Sequence, residues 1–203
     1  MTKNNLFAIL CGIFCSTLII SNILSFKTFT FLGLTLPTAV ILFPIVYITN
    51  DLLTEIFGFQ KAKLVIKTGF IMNIIAVISY NIAIHLPAPV FFTGQEAFET
   101  VLSNTFRVLI ASMLAYLIGN LINAKIMEMM KEKSKLFSRC VLSTLIGEGL
   151  DACIFITIAF LGTMPITTLL IMIIAQAIFK TVYEIVCFPI TNKLVQKARL
   201  LNE

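Results

Sequence analysis

Phe43-Pro44-Ile45-Val46-Tyr47-Ile48-Thr49-Asn50-Asp51-Leu52-Leu53-Thr54-Glu55-Ile56-Phe57-Gly58-Phe59 is the stretch that decides how this chain is read. It is apolar enough to enter a bilayer, yet it carries Asn50, Asp51 and Glu55. Asp51 and Glu55 stand four apart, so on a helix they share one face. A carboxylate near the centre of a membrane costs roughly 2.5–3.5 kcal/mol on insertion scales, and it is rarely there without a task. The stretch is therefore expected to line a polar cavity inside a membrane protein. The bland reading is that both acids sit at the interface or pair with a base for packing.

The rest of the chain agrees with a membrane setting. Of its 203 residues 59% are hydrophobic and 12% charged, and the mean hydropathy is +1.00. That is far outside the range of soluble domains. Apolar runs long enough to span recur from end to end, so residues 1–203 read as one transmembrane domain. The net charge of +5 does not point to nucleic acid, because the bases lie in loops beside apolar spans. The five cysteines, Cys11, Cys15, Cys140, Cys153 and Cys187, contain no Cys-x-x-Cys pair and read as small core residues, with no metal or disulfide framework.

Six spans are expected, at about residues 6–26, 38–57, 64–85, 105–126, 141–161 and 166–195. The apolar run after Met1-Thr2-Lys3-Asn4-Asn5 is too long for a signal-peptide core and reads as the first span. Within it Ala8, Gly12 and Ser16 recur every four residues, a seam for helix packing inside the bundle or for a partner, a second copy of the chain included. Pro44 is expected to kink the second span, and Gln60-Lys61-Ala62-Lys63 to form a basic turn after it. Residues 27–36 and 87–104 are expected as connections. His85 is expected at an interface rather than in a proton relay, and Arg139 in a basic turn with Lys125, Lys131, Lys133 and Lys135. Alternate segments hold nearly all the Lys and Arg, which places both termini in the cytoplasm.

With the lysines near span ends, Lys67, Lys125 and Lys193, set aside with the loops, the expected spans contain Asp51, Glu55, Arg107, Glu148, Asp151, Lys180 and Glu184, five acids against two bases. Unpaired, these charges would cost on the order of 20 kcal/mol, more than a small bundle can absorb. Lys180 and Glu184 have the spacing of a pair within one helix, Glu148 and Asp151 share a face, and Arg107 either pairs or reaches the interface. The surplus acids predict a wet cavity for a donor-rich guest, a cation or protons. A carboxylate fits the adjacent ring N–H and amino group of a guanine-like edge with two parallel hydrogen bonds. Asn22, Asn50, Asn120 and Gln176 add donors and acceptors, and Tyr47 and Tyr183 could stack a flat ring. Neither His-Glu-x-x-His nor Gly-x-Ser-x-Gly occurs, which argues against an intramembrane enzyme.

Five segments carry a family resemblance: Ser21-Asn22, Thr49-Asn50-Asp51-Leu52 through Ile56-Phe57-Gly58, Arg107 through Gly119-Asn120, Ser143-Thr144-Leu145-Ile146-Gly147-Glu148-Gly149-Leu150-Asp151, and Phe179-Lys180 through Phe188-Pro189. Together they resemble the VUT family, bacterial queuosine-precursor transporters once labelled vitamin uptake proteins. The resemblance implies an all-α membrane protein of six transmembrane helices, like the substrate-binding subunits of energy-coupling-factor transporters. It implies uptake across the cytoplasmic membrane of 7-cyano- or 7-aminomethyl-7-deazaguanine or queuine, without a cofactor. Two modes stay open: a secondary transporter, with proton coupling possible, or a binding subunit that feeds a separate ATP-driven module. The substrate-binding candidates are Asn22, Asn50, Asp51, Glu55, Arg107, Asn120, Glu148, Asp151, Lys180, Tyr183 and Glu184.

Overall fold

Five helices of the chain are long and apolar enough to cross a bilayer: Lys3–Leu24, Phe59–His85, Ile110–Met129, Leu136–Phe160 and Ile166–Ala198. The computed structural model describes residues 2–25, 27–31, 34–103, 106–162 and 165–199. In chain order the elements are α1 (Lys3–Leu24), a hairpin of β1 (Thr28–Phe31) and β2 (Leu34–Pro37), a single 3-10 turn (Thr38–Ile41), α2 (Phe43–Phe57), α3 (Phe59–His85), α4 (Gln95–Leu102), α5 (Phe106–Met129), α6 (Leu136–Phe160) and α7 (Ile166–Arg199).

Five of the six expected spans are present as these long apolar helices and the expected second span holds the shorter α2, with four local corrections. Pro44 does not kink α2: it occupies the first turn, where a missing N–H leaves nothing unsatisfied and its fixed φ suits helix initiation. Helix α2 therefore has only 15 residues, about 22 Å. Gln60 to Lys63 are not a turn but the first turn of α3, because Gly58 alone, at φ 81°, reverses the chain between the two helices. The connection after α1 is an antiparallel hairpin with Thr28 opposite Pro37, anchored where Thr38 donates its N–H and its hydroxyl to the Lys27 carbonyl, each at 2.7 Å. The connection after α3 holds the short α4, tied back by Gln95 Nε2 to the Ile84 carbonyl at 2.9 Å. Helix α7 continues through Pro189.

Helix α2 is the centre of the bundle. Every residue from Asp51 to Glu55 is buried, which requires neighbours on all sides. Val46, Leu52 and Leu53 pack with Phe14 and Leu18 of α1, Val65 and Ile66 of α3 and Tyr116 of α5 in the main apolar core. Thr49 and Thr54 return their hydroxyls to the carbonyls four residues back, at 2.6 and 2.9 Å, so they add no unmet polarity. Helices α5 and α6 cross backbone to backbone. A Cβ at Gly147 would lie 2.7 Å from the Asn123 Cβ and 2.8 Å from the Gly119 carbonyl, and one at Gly119 would lie 2.8 Å from the Asp151 Cβ. Gly149 is different: it faces open space.

The small-residue seam of α1 does not pack inside. Ala8, Gly12 and Ser16 are exposed, and no atom lies within 4 Å of where a Gly12 Cβ would be. Leu10, Phe14, Thr17 and Leu18 face the core instead, because bulk apolar side chains gain more by burial than small ones.

One end of the bundle collects the basic segments. Phe7 of α1 stacks edge-on against Phe57 of α2 at 5.2 Å, with Lys61 of α3 5.6 Å from both rings. Lys125 lies 5.2 Å over Phe59, and Lys131 donates to the Glu55 carbonyl at 3.1 Å. Phe137 of α6 meets Phe188 of α7 at 5.0 Å. His85, at the end of α3, is exposed and its ring Nδ1 meets the Asn81 carbonyl of its own helix.

Candidate functional site

Three helices carry a ladder of charge through the interior. Helix α6 runs antiparallel to both α2 and α7, so successive turns of each bring charged side chains to the same level. At the basic end, Arg139 Nη1 lies 2.7 Å from Glu55 Oε2, with side chains 5% and 1% exposed. The contact is an ion pair rather than an aligned hydrogen bond. Farthest from that end, Lys180 Nζ of α7 bridges Glu148 Oε2 at 3.1 Å and Asp151 Oδ2 at 2.6 Å, both on α6. Its ammonium also sits 5.2 Å from the Tyr47 ring, a cation–π contact, and the Tyr47 hydroxyl faces Glu148. Between these two levels lie Asp51 of α2, Cys140 of α6 and Glu184 of α7, with a carboxylate oxygen of each acid and the Cys140 Sγ within 4.8 Å of one another. All three are buried.

A fourth group joins α2 to α5. Asn50 Nδ2 donates to Asn123 Oδ1 at 3.0 Å and to the Asn120 carbonyl at 3.3 Å. Asn120 turns its own amide to the Tyr116 carbonyl at 3.0 Å. Asn22 belongs elsewhere: it donates to Asn73 of α3 at 2.9 Å and accepts from Ser112 of α5 at 3.1 Å, pinning three helices together.

Most of the candidate residues therefore meet. Asn50, Asp51, Glu55, Asn120, Glu148, Asp151, Lys180 and Glu184 share the interior between α2, α5, α6 and α7. Tyr183 does not join them; it is half-buried beside Cys187 of its own helix. The Arg107 side chain lies outside the described residues.

Two expectations about pairing are corrected. Lys180 reaches across to Glu148 and Asp151 of α6, because one ammonium between two carboxylates in the interior offsets more desolvation than a single intrahelical contact. Arg139 is not a solvated turn residue: α6 begins at Leu136, so Arg139 is already inside and supplies the second interior base. Cys140, read from the sequence as plain core, faces Asp51. The signal for both was available in their spacing, since 140, 144, 148 and 151 fall on one helical stripe with 139 beside it.

Among the described interior residues, five carboxylates thus face two bases, which leaves three negative charges if all ionise. Hydrogen bonding shows the same bias. Asn50 Oδ1, both Asp51 oxygens, Asn120 Oδ1, Glu148 Oε1 and Glu184 Oε1 are buried without a hydrogen-bond donor. The Cys140 thiol beside Asp51 is only a weak one. Buried acceptors in such number are costly unless something donates to them. Arg139 Nε and Nη1 are buried donors without a hydrogen-bond acceptor, but the unmet acceptors outnumber them, so the interior is biased toward receiving donors.

A polyhelical membrane protein with an acceptor-rich core of this kind has the form of a solute transporter. A family model described as "Putative vitamin uptake transporter" matches residues 37–194, well over half of the chain, and the protein belongs to that family. It is thus a multi-pass membrane transporter rather than an enzyme. It is similar to the "Probable queuosine precursor transporter" of Bacillus subtilis, 24% identical over 174 residues that cover 83% of this chain and 76% of that protein. It is also similar to the "Probable queuosine precursor transporter" of Haemophilus influenzae, 28% identical over 118 residues, 58% of this chain. The match spans 49%, about half, of the Haemophilus protein's length. No solved structure matches the chain.

Proposed function

We propose that this transporter imports a queuosine precursor, 7-cyano- or 7-aminomethyl-7-deazaguanine or queuine, as a secondary transporter of the cytoplasmic membrane. The observation that carries the reading is the row of donor-less acceptors on Asn50, Asp51, Asn120 and Glu148. A deazaguanine offers a ring N–H beside an exocyclic amine, and a buried carboxylate accepts both at once. Asp51 and Asp151 are the proposed acceptors, Lys180 and Glu148 their electrostatic frame, and Asn50 and Asn120 the amides that fix the ring's orientation. The names of the two bacterial relatives support the substrate class.

Six crossings with both termini in the cytoplasm complete the proposal. Helix α2 is short for a span, but the meeting of Phe7 with Phe57 and Lys61 puts the start of α1 and the end of α2 at one end of the bundle. That supports a full traverse by α2 and its 3-10 turn. The basic residues gathered at that end support a cytoplasmic orientation for it.

Cells unable to make queuosine precursors, given labelled 7-deazaguanines, test this directly. Expression should restore uptake, and Asp51→Asn or Asp151→Asn should abolish it while the protein remains in the membrane. Background uptake by the intact protein would rule the substrate out; normal uptake by both variants would rule out the site.

A second reading has its own support. The exposed Ala8–Gly12–Ser16 seam suits a close helix contact with another membrane protein. In that case the chain is a binding subunit for a separate ATP-driven module. Uptake that stops when cellular ATPases co-purifying with it are deleted would favour this mode.

A further inference from the structure

We infer that Asp51 and Glu184 hold one proton between them, with Cys140 beside it, and that this proton is the coupling ion of the transport cycle. The inference rests on the import reading above and assigns its energy source to a place. Three observations converge. The Asp51 carboxyl of α2, the Glu184 carboxyl of α7 and the Cys140 thiol lie within 4.8 Å of one another. Asp51 is 0% and Glu184 2% exposed, so water does not screen them. Both Asp51 oxygens and Glu184 Oε1 lack a donor.

Among the described residues, the neighbouring bases are committed elsewhere. Arg139, next in the chain to Cys140, is 2.7 Å from Glu55. Lys180, one turn before Glu184, lies between Glu148 and Asp151. Among the described residues, the charged and titratable groups around the pair are Tyr47 and Glu55 on α2, Arg139, Cys140, Glu148 and Asp151 on α6, and Lys180 on α7. Their summed charge does not supply the missing positive unit. Two carboxylates this close in a dry interior cannot both stay ionised without a cation. A proton on one oxygen supplies a donor to the other and removes one negative charge at the same moment.

The pair bridges two helices that must move relative to each other if the bundle opens to alternate faces. With the proton present, α2 and α7 are joined by a hydrogen bond; without it, two charges repel. In the import cycle the proton binds a carboxylate oxygen from the outer side. The O–H bond breaks after reorientation and the proton leaves to the cytoplasm. Asp51 also faces the substrate, so occupancy of the site and protonation of the pair are linked through one side chain.

Infrared spectra of the purified protein in lipid at neutral pH test the site without any substrate. A protonated carboxyl band is expected and should disappear in Glu184→Gln. Absence of the band from the intact protein, or its survival in both Glu184→Gln and Asp51→Asn, overturns the inference. So does a stoichiometric divalent metal retained by the intact protein and lost in Glu184→Gln. In liposomes, an inside-alkaline gradient should drive labelled 7-deazaguanine accumulation toward about tenfold per pH unit, the limit for one proton per substrate. Glu184→Gln should lose that drive and Glu184→Asp should recover it. Exchange of the deazaguanine that ignores the gradient defeats the proton while sparing the substrate assignment. The infrared band without any deazaguanine binding does the reverse.

Discussion

The two ends of the interior charge ladder are balanced differently from its middle. At the ends each acid has a base: Arg139 for Glu55, and Lys180 for Glu148 and Asp151. In the middle, Asp51 and Glu184 have each other and a thiol. A buried ion pair adds little net stability but becomes strongly destabilising when one partner is removed. A buried acid without a partner is already a cost, so removing its charge should relieve the fold while harming the function. The comparison therefore separates residues that hold the bundle together from residues kept for the cargo.

The largest effect should come from breaking the shared base. Lys180→Met strands two carboxylates, and a loss of about 3–5 kcal/mol is expected. It should appear as a fall in thermal midpoint in detergent, largely recovered by adding Glu148→Gln and Asp151→Asn. Persistence of the wild-type midpoint in the single variant would remove Lys180 from the structural half of the comparison. Next, Arg139→Gln should cost about 3 kcal/mol alone and much less with Glu55→Gln; equal losses in single and double variants would mean the pair is not coupled.

Packing gives a control of intermediate size. Gly147→Ala must push apart α5 and α6, since its Cβ would meet the Asn123 Cβ at 2.7 Å and the Gly119 carbonyl at 2.8 Å. A loss of about 1–3 kcal/mol is expected. Asp51→Asn should change the thermal midpoint least among the interior charge variants, or raise it, because it discharges an acid whose oxygens have no hydrogen-bond partner among the described residues. Destabilisation as large as that of Lys180→Met would erase the distinction between the ends and the middle. The smallest effect belongs to Gly149→Ala, where open space and a helical backbone predict a gain of about 0.5–1 kcal/mol in the same melting assay.

Much of the architecture was legible beforehand because hydropathy is a one-dimensional quantity. The apolar runs became the helices, and Glu148 with Asp151 fell on one face because a three-residue offset returns nearly a full turn. Helix ends were less legible. Lys61 and Lys63 extend α3, and Arg139 lies inside α6, because a base close to a helix end can be paired or reach outward without ending the helix. Pro44 was misread because proline breaks a helix interior but starts a helix well, and only the observed start of α2 separates the two cases.

By itself the sequence determined that the chain lies in a membrane, that its helices cross it, and that its interior holds more acids than bases. Those follow from composition and periodicity, which need no knowledge of neighbours. Which acid meets which base, that Cys140 lies beside Asp51 and Glu184, and that the Ala8–Gly12–Ser16 seam faces outward were decided only by tertiary structure. The reason is geometric. Residues on one helix are related by a fixed rotation, whereas the rotation of one helix against another is set by packing of the whole bundle, and here by the glycines that let α5 and α6 touch.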